Sequence, residues 1–413
     1  MPRSKRLNVL HVATINKPIT SQLGYGPIET VIYNIDKGLH ARGHRSIVAC
    51  SADSTVVGEQ YATVSRSLGD YLRESTPEAQ AHVDLHLARA LVRTQMGDID
   101  VIHMHEWFER VYAGTFRSPV PIVMTLHVPG WDNGVMEFHQ THPAAVRRRR
   151  LHFVAISDYQ RRQYADAMPV VGTVPHGIDV DEYPFGDELG TRGYLLNIGR
   201  ITRVKGQDTA IAVAKQSGAK LILAGCVQNK KDDREFFASV ERSFDLVADV
   251  GRHPVSANYF DEVMRPILSS DAQIIYVGEL DTEAKKQWFR HARATLFPVR
   301  WGEPFGMVLI ESMATGTPIV AFGRGAVPEI VRDGHTGFVV DSVEAMVRAV
   351  GRIERIDRRE CRRHVAEHFS IERMAAGYEA VYERLVAVPA QPPAARRAIV
   401  AAMRPSPQRA VIG

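Results

Sequence analysis

The sequence predicts an α/β protein of two doubly wound, Rossmann-like domains that face each other across a cleft. Three observations predict it. Short apolar runs alternate with helical patterns along almost the whole chain, the alternation restarts near Tyr194, and the restart follows the Pro/Gly-rich stretch YPFGDELGTRG. In the first half the strand candidates are Asn8–Ala13, Ser46–Ala49, Val101–His105, Ile122–Leu126, Phe153–Ile156 and Gly172–Val174. Each is short, rich in Val, Ile and Leu, and bounded by Gly, Pro or polar residues, the pattern of parallel strands buried on both faces. Helical segments such as Ile28–Ala41 lie between them, with Val31, Ile35 and Leu39 on one face.

In the second half the strand candidates are Tyr194–Ile198, Lys220–Ala224, Ile274–Val277, Ala294–Pro298, Pro318–Ala321 and Gly337–Val340, separated by helices such as Gly206–Ser217, Asp281–His291 and Met307–Thr315. The segment from Val227 to Ser256 carries the charge run NKKDDRE and no strand pattern, and reads as an elaboration on the second domain. The expected division is an N-terminal domain over residues 1–185 and a second over 186–370. A helix over 371–388 then packs back on the first domain, and a Pro-, Ala- and Arg-rich tail over 389–413 stays disordered.

Composition narrows the class. The 413 residues are 45% hydrophobic and 24% charged, ordinary for a globular protein, and the net charge of +4 suits an anionic ligand without demanding nucleic acid. Cys50, Cys226 and Cys361 have no metal or disulfide spacing; Cys50 and Cys226 follow apolar runs and read as buried strand-end thiols. The N-terminal apolar run is short, is broken by His11 and lacks a clear cleavage site, so it reads as the first strand. No stretch approaches the roughly 18 apolar residues of a membrane helix. These features point to a cytoplasmic location, with the Arg147–Arg150 run as either a solvated face or a patch that attracts an anionic acceptor or membrane headgroups.

The second half carries the strongest chemical signal, PVRWGEPFGMVLIESMATGTPIVAFGRGAVPEIVRDGHTGFVV over residues 298–340. Glu303 sits in a loop after a strand, and Glu311 falls in the first two turns of the next helix. The first N–H groups of that helix, near Phe305 to Val308, have no helical partner and suit a phosphate or sugar oxygen. Carboxylates accept hydrogen bonds from vicinal hydroxyls, on a hexose or on a ribose, so the combination suits a sugar nucleotide. In LNIGRITRVKGQDTAI, residues 196–211, Arg200 and Lys205 follow a strand end at a sheet edge and suit a diphosphate.

These motifs, G-R-x4-K-G, E-P-F-G-x4-E and G-x-x-P-E-I-V-x-D-G-x-T-G-F, occur here in the order found in the retaining glycosyltransferases of family 4, and the chain resembles that family over roughly residues 7 to 388. The resemblance implies the GT-B fold, with an acceptor-side first domain and a second domain that binds the donor. It implies that Arg200 and Lys205 hold the donor diphosphate, Glu303 the sugar hydroxyls and Glu311 the ribose. Amides of Phe305, Gly306 and Met307 would face sugar and phosphate, and the run ending at Gly278 would cup the base.

The first half is less explicit. QLGYGPIETVIYNI, residues 22–35, places Gly24 and Gly26 before a helix, where the backbone can approach a ligand. It resembles the family's glycine-rich loop but separates the two glycines by Tyr25, and Glu29 stands where a dinucleotide fingerprint needs its last glycine. His127 closes the strand in MTLHVPGW and matches a family histidine close to the transferred sugar, where it would donate to a hydroxyl. HMHEWFE puts His103 and His105 on one strand face beside Glu106, without a third ligand at metal spacing. Ser157 with Gln160 reads as a capping box. The two D-x-D segments, Asp98–Asp100 and Asp179–Asp181, lack a context that suggests Mg²⁺.

The expected reaction is transfer of a sugar from a nucleoside diphosphate sugar to an acceptor hydroxyl with retention, without metal or other cofactor. The acceptor is a glycan, a lipid or a small molecule. The rival readings are a sugar-nucleotide epimerase of the same architecture and a non-catalytic nucleotide-sugar-binding protein; a nicotinamide oxidoreductase is disfavoured by the missing glycine fingerprint.

Overall fold

In the computed structural model, residues 6–21, 23, 26–69, 76–105, 118–128, 151–164, 168, 170–186, 193–251 and 253–387 are described. Gly24, Glu106, the Arg147–Arg150 run and the 389–413 tail lie outside them.

The apolar runs of the first half form one parallel sheet of seven strands. They are β1 (Asn8–Val12), β2 (Arg45–Ser51), β3 (Glu59–Val64), β4 (Val101–Met104), β5 (Ile122–Thr125), β6 (Leu151–Ala155) and β7 (Val170–Thr173), in the order β3-β2-β1-β4-β5-β6-β7. The second half forms another: β8 (Tyr194–Ile198), β9 (Lys220–Ala224), β10 (Leu246–Val247), β11 (Ile274–Tyr276), β12 (Ala294–Phe297), β13 (Ile319–Phe322) and β14 (Gly337–Val340), in the order β10-β11-β9-β8-β12-β13-β14. Chain direction reverses across the sheet at β1/β4 and at β8/β12, the switch points where ligands bind doubly wound sheets.

The longer helices are α1 (Pro27–Ala41), α2 (Pro77–Arg93), α3 (Asp158–Tyr164), α4 (Gln207–Ser217), α5 (Lys231–Glu241), α6 (Thr282–His291), α7 (Met307–Ala314), α8 (Val343–Val350), α9 (Arg358–His368) and α10 (Ile371–Val386). Sequence reasoning passed over β3. Its exposed–buried pattern, with Glu59, Gln60 and Ala62 exposed, marks an edge strand rather than a doubly buried one. The segment Val227–Ser256, expected to lack a strand, supplies both α5 and the edge strand β10, so it belongs to the sheet. Two residues of regular pairing are too short to show a period.

The closing helix α10 buries Met374, Ala375, Tyr378, Val381, Tyr382 and Leu385, a stripe at helical spacing, and Ser370 caps its start by accepting from the Arg373 N–H. That stripe packs on Leu7 just before β1 and Val9 within it, on Val101, Val123 and Val154, and on Val31 and Ile35 of α1. The last helix among the described residues thus covers the N-terminal sheet, and its tyrosines reach polar groups there. Tyr378 bonds Thr125 at 2.8 Å and Tyr382 bonds His103 at 2.7 Å.

Candidate active site

The site is built where the two switch points meet. Strand β8 ends at Ile198 and the following loop carries Arg200 and Lys205; β12 ends at Phe297 and its loop carries Trp301 and Glu303 before α7. Gly306 caps α7 with φ 97°, a left-handed conformation that costs other residues strain, and this turn aims the first amides of Met307 and Val308 out of the helix.

Glu303 is buried, and its Oε2 accepts from Lys205 Nζ at 2.6 Å and from Trp301 Nε1 at 2.9 Å. The Lys205 ammonium also lies 5.2 Å from the Trp301 ring centre and 5.7 Å from that of Phe297. The loop is braced from behind. Ala326 donates to the Glu303 carbonyl at 2.8 Å, and a Cβ on Gly325 would stand 2.2 Å from that same oxygen. The glycine of the G-x-x-P-E motif is therefore required by close approach to the Glu303 backbone. Glu329 of that motif reaches the other half of the chain, accepting from the Asp158 and Tyr159 N–H groups at the start of α3.

A cavity opens beside this loop, between the two halves of the chain. Gly26, Pro27 and Thr30 line it from the first half; Arg200, Cys226, Glu279, Lys285, Met307 and Glu311 are among those that line it from the second. Arg200 donates to Gln228 at 2.8 Å, and Lys285 donates to the buried Glu311 at 2.6 Å. Lys205, Glu303 and His127 do not line this cavity. They lie along the 303–307 loop and its contacts: His127 stacks on His176 at 5.5 Å, and His176 meets the Phe305 ring edge-on at 5.0 Å.

The Phe305 side chain is buried among His176 and Phe369, so only its backbone is free to serve a ligand. Gly278, with φ 78°, accepts from the Gly225 N–H at 2.8 Å, and it is the next residues, Glu279 and Leu280, that line the cavity. Cys226, expected to be buried, is half-buried on the cavity wall because it follows β9 rather than ending it.

Gln160 does more than cap. Its backbone N–H bonds Ser157 Oγ, its Oε1 accepts from the Ile156 N–H, and its Nε2 donates to the carbonyls of Leu126 and Val128, which fixes the backbone on both sides of His127. The D-x-D segments are tied elsewhere: Asp98 pairs with Arg45 and Arg93, and Asp179 with Lys37.

Sequence reasoning missed Lys285, whose spacing of 26 residues from Glu311 carries no signal, and it missed the third histidine beside His103 and His105. Register brings it there: His11 on β1 pairs with His103 on β4. Nitrogens of His11, His103 and His105 all lie within 4.8 Å of one another, the spread of a metal-ligand set.

Two Rossmann-like parallel sheets with their switch points opposed define the GT-B class of glycosyltransferases. The chain belongs to glycosyltransferase family 4. The model of that family matches residues 26–182, and the model described as glycosyl transferases group 1 matches residues 180–368. Among curated relatives, phosphatidyl-myo-inositol mannosyltransferase of Mycobacterium leprae is 25% identical over 327 residues, 76% of this chain and 79% of its own length. D-inositol 3-phosphate glycosyltransferase of Acidothermus cellulolyticus is 27% identical over 286 residues, 61% of this chain and 58% of its own. Among solved structures, sucrose-phosphate synthase from Thermosynechococcus elongatus shares the fold with TM-score 0.69 at 18% identity, over 92% of this chain and 100% of that one. HepE from Anabaena in complex with UDP-glucose matches with TM-score 0.61 at 16% identity, over 93% of this chain and 100% of that one. The protein is an enzyme of the glycosyltransferase type, and among its described residues no helix is long and apolar enough to cross a membrane.

Proposed function

We propose that this glycosyltransferase moves a sugar from a nucleoside diphosphate sugar to an acceptor hydroxyl with retention at the anomeric carbon, and that it needs no metal. The observation that carries the reading is the placement of Arg200 and Glu311 on the walls of one cavity, beside the first amides of α7. In this reading Glu311 takes the ribose hydroxyls, sharing them with Lys285. Arg200, Lys205 and the amides of Gly306 and Met307 take the diphosphate, and the Phe305 amide and Glu303 take the sugar. Gly26 lies towards the phosphate and the acceptor, and the turn after Gly278 meets the base. His127 stands on the sugar side.

Departure of the diphosphate builds negative charge on its oxygens. Fixed cations and amides stabilise that charge more than the ground state, the usual largest electrostatic contribution to such a reaction. No side chain stands as an evident covalent nucleophile among the described residues, which favours same-face attack, the leaving phosphate helping to deprotonate the acceptor hydroxyl. Engagement of both D-x-D segments in ion pairs supports metal independence. The names of the inositol-linked relatives make a phosphorylated or lipid-linked polyol a reasonable first acceptor class to test.

The test is a panel of UDP-, GDP- and ADP-sugars screened by thermal shift, followed by proton NMR of the product formed with the best donor, in EDTA. A stabilising donor and a product of unchanged anomeric configuration are expected. An inverted product, or turnover that stops in EDTA and returns with Mg²⁺, contradicts the reading. Conversion of the donor sugar in the absence of any acceptor would assign the epimerase instead.

A further inference from the structure

Three imidazoles form a connected file from the interior of the first sheet to the cleft. His11 Nδ1 lies 3.4 Å from His105 Nε2, and His105 Nδ1 lies 3.3 Å from His127 Nε2. His11 and His105 are buried, and His127 is half-buried. Burial depresses all three, to about 4 for His11, well below the ordinary range for His105 and to about 3 for His127, so each is neutral at pH 7. A neutral imidazole has one N–H and one lone pair. Two links in series then allow only two states: every ring protonated on Nδ1, or every ring protonated on Nε2.

The inner end decides between them. His11 Nε2 is buried and has no hydrogen-bond partner, and neither has Asp36 Oδ1, also buried. His11 Nδ1 is directed at His105, on the β4 side of β1. Asp36 accepts from the Val57 and Gly58 N–H groups, on the opposite, β2/β3 side of β1. Asp36 is also the charge that acts on the His11 ring. A lone pair on Nε2 would meet a negative charge; an N–H there is attracted to it, directly or through one bridging water.

The geometry points to a proton-ordered chain, Asp36–His11–His105–His127, that holds His127 as the Nε2–H tautomer and leaves its Nδ1 as a hydrogen-bond acceptor. Among the described residues Nδ1 of His127 has no protein partner. Given the transfer reading above, on which this last step rests, Nδ1 accepts from a sugar hydroxyl. That reverses the donor role the sequence suggested for His127. The cluster of His11, His103 and His105 does not read as a metal centre, because both ring nitrogens of His103 are already bonded, to Thr125 at 2.7 Å and to Tyr382 at 2.7 Å. His105, His11 and Asp36 are therefore positioning residues that act through His127.

The experiment is long-range proton–nitrogen NMR on deuterated protein carrying ¹⁵N-histidine, with signals assigned from single His variants. No substrate is needed, so it stands apart from the transfer reading. Wild-type protein is expected to show His11, His105 and His127 each as a single Nε2–H tautomer. In Asp36→Asn and His105→Phe, His127 is expected to become a mixture of tautomers. A proton on Nδ1 of His127 in wild-type protein overturns the chain, as does an unchanged His127 in both variants. Saturable uptake of one Zn²⁺ per chain that His11→Asn abolishes also overturns it, in favour of a metal site. With an active donor, His105→Phe should lower kcat about 10-fold or more with donor KM within about threefold, since a wrong imidazole tautomer is costly to catalysis. Unchanged kcat removes Nδ1 from the sugar.

Discussion

The Lys205 ammonium and the Glu303 carboxylate form a 2.6 Å ion pair. The proposed function gives one side chain to the diphosphate and the other to the sugar, so the pair joins the two ends of the proposed donor site. The Trp301 N–H on the same carboxylate oxygen holds Glu303 in place if Lys205 swings to a phosphate.

Lys205→Met should therefore lower kcat/KM by about 10²–10³, the usual effect of removing one group that stabilises transition-state charge. Steady-state kinetics check the loss and circular dichroism checks the fold. Activity within about threefold of wild type would take Lys205 out of the site.

Gly325→Ala tests the brace behind Glu303. The new Cβ would meet the Glu303 carbonyl at 2.2 Å, in a backbone conformation of φ 65° that disfavours a side chain. The loop must shift, and turnover should fall at least about 10-fold while the far nucleotide end keeps its affinity, because a displacement of about 1 Å is enough to spoil alignment. Equal kinetics would show that the loop does not position Glu303.

Lys285 and Glu311 form a pair whose side chains are 16% and 6% exposed. Lys285→Met alone leaves a buried carboxylate without its cation and should cost about 3 kcal/mol of stability in urea unfolding. Lys285→Met with Glu311→Gln should recover most of that loss. A double variant as unstable as the single would mean that the pair is not the source.

Acid should unfold the protein through its histidines. His86 bonds Thr63 and the Ala13 carbonyl, and burial lowers it to about 4. The unfolded chain binds that proton near pH 6.5 and the native state does not until about pH 4. Stability is thus present above pH 6.5 and lost as pH falls towards 4. At pH 5 each such histidine costs about 2 kcal/mol. Unfolding free energies at pH 7 and pH 5 should differ by less in His86→Gln than in wild type; equal differences would reject the assignment.

The strands buried on both faces were legible because a continuous run of Val, Ile and Leu between turn residues suits little besides a strand covered on each side, and α10 was legible from the spacing of Met374, Tyr378 and Tyr382. Strands β3 and β10 were not, since β3 begins with mostly exposed residues and β10 is too short to show a period. In the site, Arg200, Lys205, Glu303 and Glu311 could be read because each lies in a local motif. Lys285 with Glu311, and His11 with His105, are partners made only by tertiary folding, 26 and 94 residues apart. The strand register that aligns His11 with His103 has no trace in either segment alone.

The central claim is that one cavity, walled by Arg200 and Glu311, holds the donor's nucleotide. Titration calorimetry of UDP, GDP and ADP into wild-type protein, Arg200→Ala and Glu311→Ala measures it directly. One diphosphate should bind wild-type protein at one site per chain, and each variant should weaken that binding about 10-fold or more, the scale of one charge-assisted hydrogen bond. Wild-type affinity retained in both variants would contradict the claim.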